Sequence, residues 1–154
     1  MDLRDWVTLY FGTYKRIALK ESTLQSYGYA IAHIPFGIDY DTLLCSDIQE
    51  IINTMVSSGL AWSTVMHTFT LISQALTHAH NYGLPDKSHL LKGVILPKYQ
   101  KRHIRAFSAS EQKLFFRNNR SYHAEGFEFL LLTGLRVGEF IGLQQQDINI
   151  HDHT

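Results

Sequence analysis

The chain lacks the sequence features that are typical of membrane proteins, of disulfide-bonded proteins and of disordered proteins. It has one cysteine, Cys45, in 154 residues, which excludes an internal disulfide and a cysteine-based zinc site. No apolar run approaches the ~18 residues of a membrane span, and the acidic N-terminus is unlike a signal peptide. Its 45% hydrophobic and 18% charged residues suffice for a folded core. We expect a folded protein of the cytoplasm.

Acidic residues are missing from one stretch of the chain. Residues 87–105 contain six basic residues and no Asp or Glu. Residues 1–86 have four basic against eight acidic residues, and residues 106–154 have four against six. The net charge of zero therefore conceals one basic block. A block of this density is typical of a solvated linker or of a contact with a polyanion, and charge alone leaves both open.

The first 85 residues show the apolar periodicity of helices in four places. The first is residues 3–19, and the next three have apolar residues at Leu24, Tyr27, Ile31 and Ile34, at Ile48, Ile51, Ile52, Met55 and Val56, and at Val65, Phe69, Ile72, Leu76 and Ala79. Hydroxyl residues that favour helix N-caps stand near the predicted starts, at Ser22, Thr23 and Ser63, and Ser46 with Gln49 matches a capping box. This pattern predicts a bundle of four amphipathic helices.

A second set of helical signals follows the basic block. Ser108 with Glu111 predicts a capped helix start, and residues 122–133 predict a helix that ends at Gly134. The apolar run of that helix is nearly continuous, so we expect it to be buried on most sides. A short helical piece then reaches Leu143, and "QDINI" is a candidate strand. The sequence thus predicts a mainly α protein of two units, residues 1–97 and 106–154, joined by a basic linker, residues 98–105.

The turn after Gly134 contains the candidate reactive residues. Arg136 presents a planar fork of donors that suits a phosphate and stays charged at any working pH. It stands at a predicted helix start, where free backbone N–H groups also favour an anion. Glu139, one turn later, can hold its side chain. An ordinary surface Arg–Glu pair has the same spacing and contributes about 0.2–0.5 kcal/mol, and spacing alone does not separate the two interpretations.

The surrounding motif resembles the first catalytic box of the tyrosine recombinases, the phage-integrase family. In "LLLTGLRVGEFIGLQQQDI" the positions that match the family pattern are Thr133, Gly134, Arg136, Glu139, Leu143, Asp147 and Ile148. In that family the arginine clamps the scissile phosphate and the glutamate supports the site. The departures are mild: Gln144 and Gln145 replace a frequent Arg and Trp, and Gly138 replaces a common Ser.

Other segments resemble the same family. "RAFSASEQKLFF" is similar to the opening of its catalytic domain, and the helical segments before residue 97 are similar to its SAM-like core-binding domain, notably in integrases of phages and conjugative transposons. The resemblance implies a four-helix core-binding domain, a linker, and the first helices, with one candidate strand, of an incomplete α+β catalytic domain.

The resemblance also implies a partner, double-stranded DNA at an attachment or core site of a mobile element. Family members close both domains around the duplex, and the linker crosses its backbone. We therefore expect DNA contacts from hydroxyls and a histidine at helix starts and from the basic linker, namely Thr23, Ser63, Thr64, His67, Lys98, Lys101, Arg102 and Arg105. Helix capping is the alternative role for Thr23 and Ser63, and a solvated linker is the alternative for the basic run.

The residues that complete the family's chemistry have no counterpart here. The family uses a His-x-x-Arg box, a hairpin lysine, a further His or Trp, and a tyrosine nucleophile, all after the arginine of the first box. The eight tyrosines of this chain lie at or before Tyr122. The family's reaction needs no metal or cofactor, and the close pairs His78/His80 and His151/His153 lack a third ligand at zinc-site spacing. We expect neither a metal site nor a cofactor, and no strand cleavage by this chain alone.

Three functions remain open on the sequence. The first is DNA binding by a truncated integrase that lacks catalysis. The second is a helical interaction module that associates with an intact recombinase, or other recombinase protomers, without binding DNA. The third is an active recombinase completed by a second polypeptide.

Overall fold

The computed structural model describes residues 1–98 and 105–148, and in these ranges it is built from α-helices and short helical turns. The chain divides into two units, Met1–Lys101 and Arg102–Thr154. The only β pairing among the described residues is an isolated antiparallel bridge between Asp2 and Asp39. The mainly α prediction is confirmed.

The first unit contains the four predicted helices. They are α1 Leu3–Tyr10, α2 Glu21–Ala32, α3 Cys45–Ser57 and α4 Trp62–His78. Short helical turns follow α1 at Phe11–Lys15 and Arg16–Ala18, and follow α4 at Ala79–Tyr82 and Ser88–Gly93. The apolar faces of all four helices meet in one core, as the periodicity predicted.

Trp6 of α1 lies at the centre of this core. Its side chain is fully buried, and its indole N–H donates a hydrogen bond to the carbonyl of Ala75 in α4 at 3.1 Å. The rings of Tyr40 and Tyr82 pack against it, with centroids 6.4 and 5.4 Å away. The buried indole therefore has both its apolar contacts and its donor satisfied, as a buried tryptophan requires.

A second buried polar contact joins α2 to α4. The hydroxyl of Thr68 is fully buried and donates to the carbonyl of Ala30 at 3.3 Å. Because a buried hydroxyl without a partner is costly, this bond favours one packing of the two helices. The facing surfaces of α2 and α4 are thereby held in register.

The helix caps of the first unit differ from the prediction. The N-cap residues are Lys20, Leu44 and Ala61, and neither α2 nor α4 has a side-chain capping bond. The Ser46–Gln49 capping box is also wrong, because α3 begins earlier and Asp47 reaches back to accept from the N–H of Leu44 at 2.8 Å. The predicted N-caps lay two or three residues too late, so the hydroxyls fall inside the first turns.

Residues 105–148 of the second unit form three further helices. They are α5 Ala109–Asn118, α6 Ala124–Thr133 and α7 Val137–Gly142, followed by a short helical turn at Gln145–Asp147. This turn includes two of the five residues of the predicted strand "QDINI", Gln146 and Asp147, and residues 149–150 lie outside the described residues. The capping box at α5 is confirmed, since Glu111 N–H donates to Ser108 Oγ and Ser108 N–H donates to Glu111 Oε2.

The prediction that α6 is buried is wrong. No side chain in residues 105–148 is buried, and Leu132 remains 77% exposed. The contacts of α6 are partial: the ring of Phe129 lies tilted against Phe140 of α7 with centroids 5.4 Å apart, and the ring of Phe127 meets Phe115 of α5 edge to face at 6.3 Å. Two short neighbouring helices cannot enclose a helix that is apolar on most sides. Residues 105–148 therefore present a large apolar surface.

Candidate nucleic-acid interface

A cleft of about 560 Å³ runs between α2 and α4 in the first unit. It is lined by three predicted DNA-binding residues and four others, which are Ser63, Thr64 and His67 together with Ser26, Tyr29, Ala30 and His33. None of the seven is acidic. Hydroxyls, imidazoles and a phenol at the surface can donate hydrogen bonds to phosphate oxygens or to base edges. The cleft therefore has the chemistry of a polar contact with nucleic acid.

The hydroxyls at the two helix starts have no capping role. Ser63 is exposed, and α4 begins at Trp62 without a side-chain cap. Thr23 is half-buried in the first turn of α2, which likewise begins without one. The capping interpretation of Ser63 and Thr23 is therefore wrong. Thr23 is not among the residues that line the cleft.

His67 is held in the cleft by aromatic packing. Its ring meets Tyr27 of α2 edge to face at 4.8 Å, and Tyr27 stacks on Phe11 at 4.8 Å. The Thr68 hydroxyl, next along α4, fixes the helix to α2. These contacts restrict the imidazole before any ligand arrives, which lowers the entropy lost on binding.

Sequence reasoning missed Ser26, Tyr29 and His33. Tyr29 is an aromatic residue with 73% of its surface exposed. With Ser22, these residues are spaced 4, 3 and 4 apart on α2, on a different face from the apolar positions that predicted the helix. This polar periodicity, continuous with the helix C-cap at His33, was the signal that could have identified them.

The basic run is partly described. Lys98 is exposed. The side chain of Arg105 is 75% exposed, and its guanidinium donates to Glu111 Oε1 at 2.6 Å. Hydrogen bonds from Ser108, first from its backbone, and then the Arg105 bond lower the pKa of Glu111 below its usual value. Lys101 and Arg102 lie outside the described residues.

The Arg136 turn has the predicted local form. Gly134 ends α6 in the left-handed conformation, with φ of 71°, where an L side chain would be strained. Arg136 is the N-cap of α7, and Glu139 accepts from its backbone N–H at 2.7 Å and from its guanidinium at 3.0 Å. Glu139 thus orients Arg136 through both main chain and side chain.

The guanidinium of Arg136 is open to a ligand. The side chain is 87% exposed, and Glu139 is its only ion-pair partner within residues 1–98 and 105–148. A guanidinium has five N–H donors, so one bond to Glu139 leaves donors for an anion. The pair is a surface ion pair by geometry, worth little for stability, and its exposed donors suit a phosphate.

The described part of the chain contains neither a candidate metal site nor a membrane-spanning helix. There is no group of three or more His, Cys, Asp or Glu side chains that could hold a metal ion. No helix there is long and apolar enough to cross a membrane.

Comparison with known proteins finds solved structures that share this fold. No protein-family model matches the chain, and no curated protein matches it. The structure of the Tn1549 transposon integrase in complex with transposon right end DNA matches 97% of this chain with a TM-score of 0.78 and 20% identity. Two complexes of that integrase with circular intermediate DNA match 97% and 98% of this chain, with TM-scores of 0.77 and 0.76 and 19% identity in each.

The match extends over only part of those integrases. This chain covers 50% of the integrase chain in the first two structures and 52% in the third. It therefore spans about half their length. The resemblance inferred from the sequence is confirmed at the level of the fold: the chain has the helical fold of the matching half of the Tn1549 transposon integrase.

Proposed function

We propose that the chain is part of a tyrosine recombinase and binds double-stranded DNA at a core site, without carrying out strand cleavage by itself. The observation that carries this proposal is the coincidence of two independent signals. The fold matches integrase–DNA complexes over 97% of the chain. The seven positions of the first catalytic box stand in register in the sequence, with Arg136 and Glu139 joined at 3.0 Å.

In this proposal three surfaces contact DNA. The cleft between α2 and α4 meets the groove edge and adjacent phosphates through Ser63, Thr64 and His67. The linker, residues 98–105, neutralises phosphates with Lys98, Lys101, Arg102 and Arg105. Arg136 holds a further phosphate while Glu139 orients it. Any preference for a DNA sequence comes from base contacts in the cleft, because contacts with phosphates do not distinguish one sequence from another.

In this proposal the protein binds the DNA of a mobile element in the cytoplasm. The chemistry of DNA integration and recombination belongs to the complete family enzyme, in which a tyrosine attacks the phosphorus. An arginine clamp stabilises the charge of that transition state but does not replace the nucleophile.

A negative charge in the cleft tests the proposed DNA contact. Ser63→Glu places a carboxylate at the exposed start of α4, where it repels phosphate. We expect duplex binding, measured by fluorescence anisotropy at 0.15 M salt, to weaken about tenfold or more. Thr77→Glu is the matched control, since Thr77 is exposed on the same helix about 21 Å along its axis, and its effect should stay below about threefold. Equal affinities of the two variants would remove the cleft from the interface.

The absence of cleavage is separately testable. A nicked suicide substrate traps a covalent protein–DNA intermediate when a tyrosine attacks the scissile phosphate. None of the eight tyrosines follows Arg136 in the chain, so we expect no covalent adduct on a denaturing gel. Any adduct would contradict the proposal that this chain does not cleave DNA by itself.

A second candidate function has its own supporting observation. The exposed apolar surface of the second unit, which includes Leu132 at 77% and Ile141 at 76% exposure, is of the kind that binds another protein chain. In this alternative the chain associates with an intact recombinase and does not bind DNA. Sedimentation of the purified chain with duplex, and separately with an intact recombinase, separates the two: binding to duplex favours the first function, and association with the recombinase without binding to duplex favours the second.

A further inference from the structure

The segment that leads from the helical unit into the basic run is fastened to two different helices. Residues 94–97, called here the exit segment, follow the helical turn Ser88–Gly93. Val94 and Leu96 pack against the core, while Ile95 between them is 78% exposed. Apolar packing thus fixes one face of the segment, which has no hydrogen-bonded strand beside it among residues 1–98 and 105–148.

Gln49 of α3 holds the middle of the exit segment. Its side-chain oxygen accepts from the backbone N–H of Ile95 at 2.6 Å, and its amide nitrogen donates to the carbonyl of the same residue at 3.0 Å. A primary amide that pairs with both polar groups of one residue replaces the bonds that a neighbouring strand would supply. The amide nitrogen also donates to Asn53 Oδ1 at 3.0 Å, which orients it.

Trp62 holds the end of the exit segment. Its indole N–H donates to the carbonyl of Pro97 at 3.0 Å. Trp62 is the first residue of α4, so the residue after it is Ser63 of the cleft. The residue after Pro97 is Lys98, the first residue of the predicted linker. One hydrogen bond therefore joins the start of the cleft helix to the start of the linker.

The chain before the exit segment is also tightly placed. A Cβ atom built on Gly93 would lie 2.7 Å from Sγ of Cys45 at the start of α3, closer than real side chains approach. Glycine at this position lets the main chain pass against α3. The position of the main chain is therefore fixed from Gly93 to Pro97.

We infer that Gln49 and Trp62 are positioning residues for DNA binding: they fix the point at which the basic segment leaves the helical unit, next to the Trp62 side chain at the start of α4. The inference rests on the proposed function. In the proposed function the cleft and Lys98 contact the same duplex, and a segment that is already fixed loses less conformational entropy on binding. Neither residue needs to touch DNA for this effect.

Two near-isosteric variants test the inference. Gln49→Met keeps the length and helix propensity of the side chain but removes both bonds to Ile95. Trp62→Phe keeps an aromatic ring but removes the indole donor. Thr54→Ala, an exposed neutral position on α3, is the control. Amide hydrogen exchange of the free proteins, urea unfolding, and duplex affinity across a salt series are measured for all three and for the wild type.

We expect both variants to unfold at about the wild-type urea concentration. The Ile95 amide in Gln49→Met should exchange about tenfold faster or more, because it loses its acceptor. Duplex affinity should fall about tenfold in each variant, while the log–log salt slope stays unchanged because no charge is lost. Thr54→Ala should match the wild type in every measurement.

The outcomes are distinguishable. Unchanged exchange at Ile95 would show that Gln49 does not hold the segment, and faster exchange with wild-type affinity would show that the fixed exit does not matter for DNA. Either result overturns the inference and leaves the proposed function in place. A wild-type chain that does not bind duplex at all overturns the proposed function, and the inference with it.

Discussion

Replacing Lys98, Lys101 and Arg102 together by glutamine is expected to weaken duplex binding by about a hundredfold at 0.15 M salt. Each phosphate neutralised by a lysine or arginine releases counterions, which contributes a factor of about five in affinity at this salt concentration. Three contacts therefore contribute about two orders of magnitude. Arg105 is left in place because its bond to Glu111 supports the start of α5, and its loss would confuse a structural effect with a binding effect.

The control for this variant removes the same charge elsewhere. Lys113, Arg117 and Arg120 are exposed basic residues on or just after α5, and their triple glutamine variant has the same net charge. It should bind duplex within about fivefold of the wild type. An equal loss in both variants would mean that binding responds to net charge alone, and that the basic run is a solvated linker. Any self-association should be the same in both.

Trp6→Ala is expected to lower the free energy of unfolding of the first unit by about 3–5 kcal/mol. The substitution leaves a large cavity among α1, α4 and Tyr40, and it removes the donor that satisfies the carbonyl of Ala75. Urea unfolding followed by far-ultraviolet circular dichroism measures the change. A loss of this size is a large fraction of the roughly 5–15 kcal/mol that is typical of a folded domain.

Leu9→Ala provides the comparison on the same helix. Leu9 is 41% exposed, so its truncation removes less buried surface and leaves no closed cavity. We expect a loss of about 1 kcal/mol. Similar losses in the two variants would contradict the assignment of Trp6 to the centre of the core.

The four helices of the first unit could be predicted because their apolar residues serve a single core. Residues such as Ile48, Ile52 and Leu76 recur at helical spacing, and all of them are buried. The first residues of α2 and α4 could not be predicted, because the N-cap residues Lys20 and Ala61 make no side-chain capping bond. Their main-chain conformation marks the helix starts, and no residue type in the sequence indicates it. Serines within a first turn look like caps in sequence and are not.

The same periodicity failed for the second unit. A nearly continuous apolar run at α6 predicts burial, but burial depends on what packs around the helix, and the described neighbours α5 and α7 leave Leu132 exposed. Sequence shows that a side chain is apolar and does not show whether another surface covers it. The capping box of Ser108 and Glu111 was predictable because it depends on residues three apart.

The candidate site was predictable where it is local. Arg136 and Glu139 meet because both belong to one turn at the start of α7. The cleft was found only on the α4 side, because the approach of α2 depends on long-range packing through Thr68 and Ala30. The role of Gln49 was not predictable, because its hydrogen bonds to Ile95 join residues 46 positions apart in the sequence. Its spacing from Ser46 suggested a capping box instead.

The decisive measurement is the affinity of the purified, monodisperse wild-type chain for a labelled duplex across a salt series, by fluorescence anisotropy. The five proposed phosphate contacts, from Lys98, Lys101, Arg102, Arg105 and Arg136, predict that the logarithm of the binding constant falls with the logarithm of salt concentration with a slope of about −4.5. That slope would establish a DNA-binding protein that grips the backbone. If a folded sample does not bind duplex at low salt, the proposed DNA-binding function is wrong, and the chain shares the integrase fold without binding DNA.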